Sequence, residues 1–372
     1  MTQPIFKDML VLELASVLAG PSVGQFFAEL GARVLKVENA ATHGDVTRSW
    51  KLKAEPADTD TSAYFCAANW GKASLALNLT EPEQLQQLYT LVAQADVVIA
   101  SYKPGDAERL QVNYEVLQCI NPRLIYGHIT GYGPDDARAG YDAVVQAESG
   151  FMYLNGDPGG EPLKMPVALM DILTAHQLKE GLLVALLQRE RTGQGQLVQV
   201  SLLQAAVSAL ANQATNYLVA GQEPQRMGSE HPNIVPYGSV YTCRCGGKLV
   251  LAIGDDRQFR KLCAILGAES IAIDPKYKTN YERVQHRQEL NQMLHQLIAQ
   301  QDRGPLLQQL HAQHVPVGAV YTIPEVFAQP QARQLLLQHP GSKPGLRQVA
   351  FRLQGQQELD LSPPPTYDNY LS

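Results

Sequence analysis

Cysteine is scarce in this chain, with five residues among 372, at Cys66, Cys119, Cys243, Cys245 and Cys263. An odd, widely spaced set argues against a disulfide framework and fits a reducing compartment. Cys243 and Cys245 stand too close together for a zinc knuckle and have no second pair, so CRC reads as alternating positions of a strand. No apolar run approaches the roughly 18 residues that a membrane-spanning helix needs. The opening MTQPIFKDM lacks the charged and then apolar pattern of a secretion signal. A cytoplasmic protein with no membrane partner is expected. Excess charge of one sign is also missing: 30 Lys+Arg against 36 Asp+Glu leave a formal net charge of -6, which argues against a nucleic-acid partner.

Several catalytic signatures are absent too. The first strand-to-helix turn, LASVLAGPSVG, places Gly20 and Gly24 around Pro21 and so fails the G-x-G-x-x-G pattern of dinucleotide sites. No G-x-S-x-G elbow occurs. His311 and His314 in HAQH lack both an intervening Glu and a third ligand, so a solvated helix end is the better reading than a metal pair.

What is present is a long alternation of strands and helices. A chain of this length with 45% hydrophobic residues has enough apolar surface for two domains. MLVLEL (9–14), RVLKVE (33–38), ASLALNL (73–79), DVVIAS (96–101) and RLIYGHIT (123–130) read as buried strands. SVGQFFAELG (22–31) and EPEQLQQLYTLVAQ (81–94) read as helices between them. This is the pattern of a parallel sheet covered by helices, a Rossmann-like α/β domain. A further strand, QLVQVS, leads into one long helix ending at Gly221. The Pro- and Gly-rich stretch 222–238 is a linker. Beyond it SVYTCRCGGKLVLAIG reads as a hairpin turning at Gly246 and Gly247, followed by helices, which makes 222–323 a smaller α+β domain.

One acid stands out in MPVALMDILTAHQLKEGLLVALLQRERTGQGQ (165–196): Asp171, in an apolar approach to a helical run. Its plain reading is a helix N-cap. A capping carboxylate is also oriented and held ionised by the helix end, which suits a nucleophile. The loops AANWGKAS, ASYKPGDAERL and GYGPDDARAGYDAVVQAESG leave from the carboxyl ends of strands, where open α/β sheets bind ligands. They carry Lys72, Lys103, Arg109 and Arg138, each ordinarily a surface charge, but together a fit to a phosphate-rich ligand.

LELASVLAGPSVGQFFAELGARVLKVEN, HGDVTR, NWGKASLALNL, ADVVIASYKPGDAERL, NPRLIYGHITGYG, YDAVVQAESG and the segment from Asp171 to QVSLL, in this order, resemble the class III CoA-transferases. That group also includes formyl-CoA transferase, carnitine-related CoA-transferases and α-methylacyl-CoA racemases. The resemblance implies an interlocked homodimer of chains, each with a Rossmann-like domain built from 1–221 and the returning 324–372. It implies acyl-CoA and a small carboxylic acid as substrates, with coenzyme A as a substrate and no resident cofactor or metal. It also implies that Asp171 is a nucleophile passing through an acyl-aspartyl anhydride and an aspartyl-CoA thioester.

Carried over position by position, Val17 and Leu18 match the first loop that touches CoA. Asn39, Leu77, Thr80, Ser101, Tyr102 and Lys103 match the nucleotide and pantetheine path, and Arg109 a contact to CoA phosphate. Arg138 and Tyr141 match the loop over the thiol end, and Asp142 stands where formyl-CoA transferase has Glu. Formyl-CoA transferase has Gln in place of Leu18 and Arg in place of Asn39, and its glycine-rich covering loop is replaced here by GSEHPNIVPYG, which argues against formate and oxalate. Where the racemases place a His in GHD, this chain has Gly140, Tyr141 and Asp142, and a Tyr with an ordinary pKa of about 10 is a poor base at neutral pH. A racemase-like enzyme and a CoA-binding homologue without turnover remain the alternative readings.

Overall fold

The computed structural model describes residues 3–355 and 358–370. Its chain divides into two compact units, Met1–Phe151 with Lys164–Thr215 and Arg333–Ser372, and Met152–Leu163 with Asn216–Ala332.

The first unit is built on six strands: β1 (Leu10–Leu14), β2 (Arg33–Asn39), β3 (Lys72–Leu77), β4 (Val97–Ala100), β5 (Ile125–Thr130) and β6 (Gln196–Ser201). All pair in parallel, in the spatial order β3-β2-β1-β4-β5-β6. Alternation along each strand decides which layer a side chain enters. Val11, Val97, Ile99, Ile125 and Ile129 face one core with the helices Ala19–Glu29 and Leu169–Thr192. Leu10, Leu12, Leu14, Val98, Ala100 and Tyr126 face the other, under the helices Pro82–Val92 and Tyr114–Ile120. Both faces are covered, which is why these strands read as continuous apolar runs. The strand order reverses between β1 and β4, so the loops after these two strands part and open a crevice at the carboxyl edge.

The exposed edge of β3 is closed by residues far along the chain. Gly71 N–H donates to Ser362 O at 2.9 Å, Ser74 N–H to Asn369 Oδ1 at 2.8 Å and Ala76 N–H to Asp368 Oδ1 at 2.9 Å. Leu361 packs with Trp70 and Leu337 beneath this strap. Pairing and covering an edge in this way removes a template for aggregation.

The second unit has an antiparallel sheet of β7 (Tyr237–Thr242), β8 (Lys248–Ala252) and β9 (Val317–Ala319). Helices Asp256–Ile265, Arg287–Ile298 and Arg303–Ala312 supply its core through Phe259, Leu262, Leu290, Leu294, Leu306 and Leu310. The hairpin turns at Gly246 and Gly247 as expected, but Cys243, Arg244 and Cys245 belong to the turn and not to a strand. The long helix expected to end at Gly221 is two helices, Leu202–Ser208 and Asn212–Ala220. Ala211 between them has φ 49°, a left-handed conformation that interrupts helical hydrogen bonding. Among the described residues no helix is long and apolar enough to cross a membrane.

Candidate active site

The crevice at the carboxyl edge holds two cavities that meet at Ser16, Ser101 and Tyr102. The larger, about 910 Å³, lies over the ends of β1 and β2 and is lined by Asn39, His43, Asp45, Arg48 and Lys51 among others. The smaller, about 190 Å³, is bounded by Val17, Leu18, Lys103, Arg138, Tyr141, Asp142 and Asp171. Gly131 and Gly140 let its two walls touch. A Cβ on Gly140 would stand 2.2 Å from the Cα of Gly131, so any larger residue would force the loops apart.

Asp171 is not an N-cap. The helix begins at Leu169, Ala168 occupies the cap position without a side-chain hydrogen bond, and Asp171 is the third helical residue. The capping work is done by Asp142, 28 residues upstream, whose Oδ1 accepts from Met170 N–H at 2.8 Å. Asp142 Oδ2 accepts from Gln146 Nε2 at 2.6 Å, and Gln146 Oε1 in turn accepts from Met165 N–H at 2.8 Å. This places both carboxylates at one helix end. Asp171 is only 8% exposed, and no hydrogen bond from the described residues reaches its carboxylate. Burial, and next the charge of Asp142, push its pKa up to about 7. Burial and the Asp142 charge thus disfavour its ionised form, contrary to the expectation from a helix end. Tyr64 belongs to the same neighbourhood: burial and then the charges of Asp171 and Asp142 raise its phenol.

The expected ligand contacts separate into groups. Val17, Leu18, Ser101, Tyr102, Lys103, Arg138 and Tyr141 line the smaller cavity with Asp171, and Asn39, Ser101 and Tyr102 line the larger. Leu77 is buried in the hydrophobic core at the end of β3 and presents no side chain to either. Thr80 donates to Asn78 Oδ1 within its own turn, and Arg109 is an exposed partner of Asp106; neither lines these cavities.

Of the four cations expected around one ligand, Lys103 and Arg138 line the smaller cavity, Arg138 lying over the Tyr132 ring and pairing with Asp136 and Glu148. Lys72 is instead buried, its Nζ 2.7 Å from Glu13 Oε2 and hydrogen-bonded to Pro21 O and Asn69 Oδ1. Burial, opposed by Glu13, lowers its pKa to about 8.

Lys72 is one end of an ionic chain beneath the cavities. Glu13 Oε1 pairs with Lys36 Nζ at 2.9 Å, and Lys36 pairs with Asp45 Oδ2 at 2.9 Å. Burial alone would lower the Lys36 pKa, but the carboxylates of Glu13, Asp45 and Glu38 raise it above its ordinary value. Burial would likewise raise Asp45, yet Lys36 and the Thr47 donors hold it below the usual carboxylate range. Beside it Arg48 pairs with Glu38 through Nε and Nη2. Asp45 Oδ1 and Oδ2 both accept from Val17 N–H, at 3.3 and 3.2 Å. Val17 has φ 71°, a backbone state that costs a non-glycine residue on the order of 1–3 kcal/mol. No role for Asp45, Arg48 or Tyr64 follows from their sequence positions, although HGDVTR belongs to the resemblance; charged residues inside apolar strands, Glu13 in LVLEL and Lys36 in RVLKVEN, were the available signal of a buried network.

A profile of CoA-transferase family III matches residues 6–369. The chain is 42% identical over 337 residues to the succinate–glutarate CoA-transferase of Agrobacterium fabrum, covering 89% of this chain and 84% of that protein. It is 36% identical over 324 residues to succinyl-CoA:glutarate CoA-transferase of Homo sapiens, covering 86% and 73%. Among solved structures, a CAIB/BAIF family protein from Brucella suis aligns with a TM-score of 0.83 at 40% identity, covering 97% of this chain and 95% of that one. Matches of this extent, on a six-stranded parallel sheet with its cavities at the carboxyl edge, show that the chain belongs to CoA-transferase family III and is a CoA-transferase.

Proposed function

We propose that this protein moves CoA between carboxylic acids through covalent intermediates on Asp171. The observation that carries this reading is a buried carboxylate, free of hydrogen bonds from the described residues, in a cavity continuous with a larger one. A carboxylate that loses its proton near pH 7 is ionised in useful amount at neutrality, and it is not blunted by donors that would stabilise its charge. It attacks the thioester carbonyl and expels CoA thiolate, leaving an acyl-aspartyl anhydride. The thiolate returns to the aspartyl carbonyl and releases the first acid, leaving an aspartyl-CoA thioester. The acceptor carboxylate then repeats these steps in reverse order. One hard exchange becomes a series of easier ones.

In this reading the nucleotide end of CoA occupies the 910 Å³ cavity and the pantetheine arm passes Ser16, Ser101 and Tyr102. Water kept from the smaller cavity protects the anhydride. The names of the two curated relatives make succinate and glutarate the first acids to try. Lys103 and Arg138 on the cavity wall offer cationic partners for a second carboxylate. The active unit is a homodimer, supported by Leu183, Val184 and Leu187, exposed apolar residues along the Leu169–Thr192 helix. Five free thiols suit a cytoplasmic setting.

The test is chemical trapping. With succinyl-CoA and hydroxylamine the wild type is expected to gain a hydroxamate on Asp171, located by peptide mass spectrometry. Asp171→Ala is expected to lower succinyl-CoA:glutarate transfer by about a thousand-fold or more, as loss of a nucleophile does. Undiminished transfer in that variant would overturn the assignment.

A further inference from the structure

Six non-glycine residues among those described have positive φ, and Val17 alone of them is β-branched. A β-branched residue in that region is an outlier that persists only where its surroundings hold it. The holding group is Asp45, 4% exposed, which accepts from Val17 N–H with both carboxylate oxygens. Asp45 is itself immobilised: Thr47 donates to Oδ1 through N–H at 3.0 Å and Oγ1 at 2.8 Å, while Lys36 pairs with Oδ2. Lys36 is anchored in turn by Glu13 and by Ala15 O at 2.8 Å. The residues directly after Val17 face the chemistry, since Leu18, Ala19 and Gly20 line the cavity that contains Asp171. They open a helix with no side-chain cap, so its first N–H groups are not taken by a capping side chain.

We infer that Asp45 is a positioning residue for CoA transfer: it clamps Val17 in the left-handed conformation that sets the Leu18–Gly20 turn against Asp171. This inference rests on the reading that Asp171 acts in this cavity. A carboxylate serving only as counterion to Lys36 would contribute to stability and nothing more. The clamp makes a different demand, because glycine adopts positive φ without strain and has no need of it.

The experiment is a double-mutant cycle on succinyl-CoA:glutarate transfer, with Asp45→Ala, which leaves no acceptor for Val17 N–H, introduced into the wild type and into a Val17→Gly variant. In the wild type, Asp45→Ala is expected to lower kcat about ten- to a hundred-fold, the scale of a misplaced reacting group, with KM for the CoA ester changed far less. On top of Val17→Gly the same substitution is expected to lower kcat less than about threefold, while Tm falls equally in both backgrounds because Lys36 loses one of its two carboxylates in each. Equal kcat losses in the two backgrounds, or no loss in the first, would overturn the inference. Val17→Pro gives an arm that leaves the Asp45–Lys36 pair intact, since proline forbids positive φ; kcat is expected to fall at least about tenfold, and wild-type kcat in this variant would equally overturn it. Asp171→Ala, run alongside, reports on the nucleophile alone: surviving transfer there would sink that assignment, whereas the cycle reads only the coupling of Val17 with Asp45.

Discussion

Two carboxylates at the start of the Leu169–Thr192 helix divide the labour: Asp142 caps and Asp171 has no hydrogen-bond donor among the described residues. The pH dependence follows from that division. With Asp171 as the proposed nucleophile, transfer would need its carboxylate ionised, so kcat/KM is expected to rise with pH through an acid limb near 7. Asp142→Asn keeps an amide oxygen for Met170 N–H but removes the neighbouring charge, so the limb is expected to move to lower pH. Burial is the larger cause of the shift, so the limb should remain above the ordinary aspartate range. Stability runs the other way. The folded Asp171 holds its proton more tightly than the unfolded one, so its favourable contribution is complete below pH 3.8 and is lost as pH rises through about 7. Asp171→Asn is accordingly expected to raise Tm at pH 8 by a few degrees relative to wild type, and to gain less at pH 4; a scan by circular dichroism checks both. Position 171 was recognisable from its apolar flanks, but its environment was not. The cap comes from a residue 28 positions before Met170, and no local pattern says which of two acids will win the helix end.

At the scale of elements, β1 and the Ala19–Glu29 helix lie close enough to enclose a charge. A Cβ on Gly24 would fall 1.8 Å from Glu13 Oε2 and 3.2 Å from Lys72 Cε. Gly24→Ala is therefore expected to displace Glu13 and leave the buried Lys72 without its carboxylate, at about 3–5 kcal/mol, measured by urea denaturation. The strands themselves were legible because burial on both faces writes an unbroken apolar run, as in LVLEL and DVVIAS. Lys72 was misread for the complementary reason. A lysine after a turn normally points to water, and its partner Glu13 lies 59 residues earlier. The helix break at Ala211 left no mark either, since alanine is a good helix former.

For the whole molecule, the exposed run Leu183, Val184 and Leu187 makes a dimer the expected state, with a solution mass twice the 40.8 kDa of the chain by light scattering. Charge placed there by Val184→Asp with Leu187→Asp is expected to shift that mass toward one chain. The strap over β3 bears on how the chain is made. The amides of Ser74 and Ala76 wait for Asn369 and Asp368. At about 5–20 residues per second on the ribosome, the 292 positions separating Ala76 from Asp368 take about 15–60 s to synthesise. Throughout that interval the sheet edge lacks its cover, so the speed of translation between these positions sets how long it stays open to another strand.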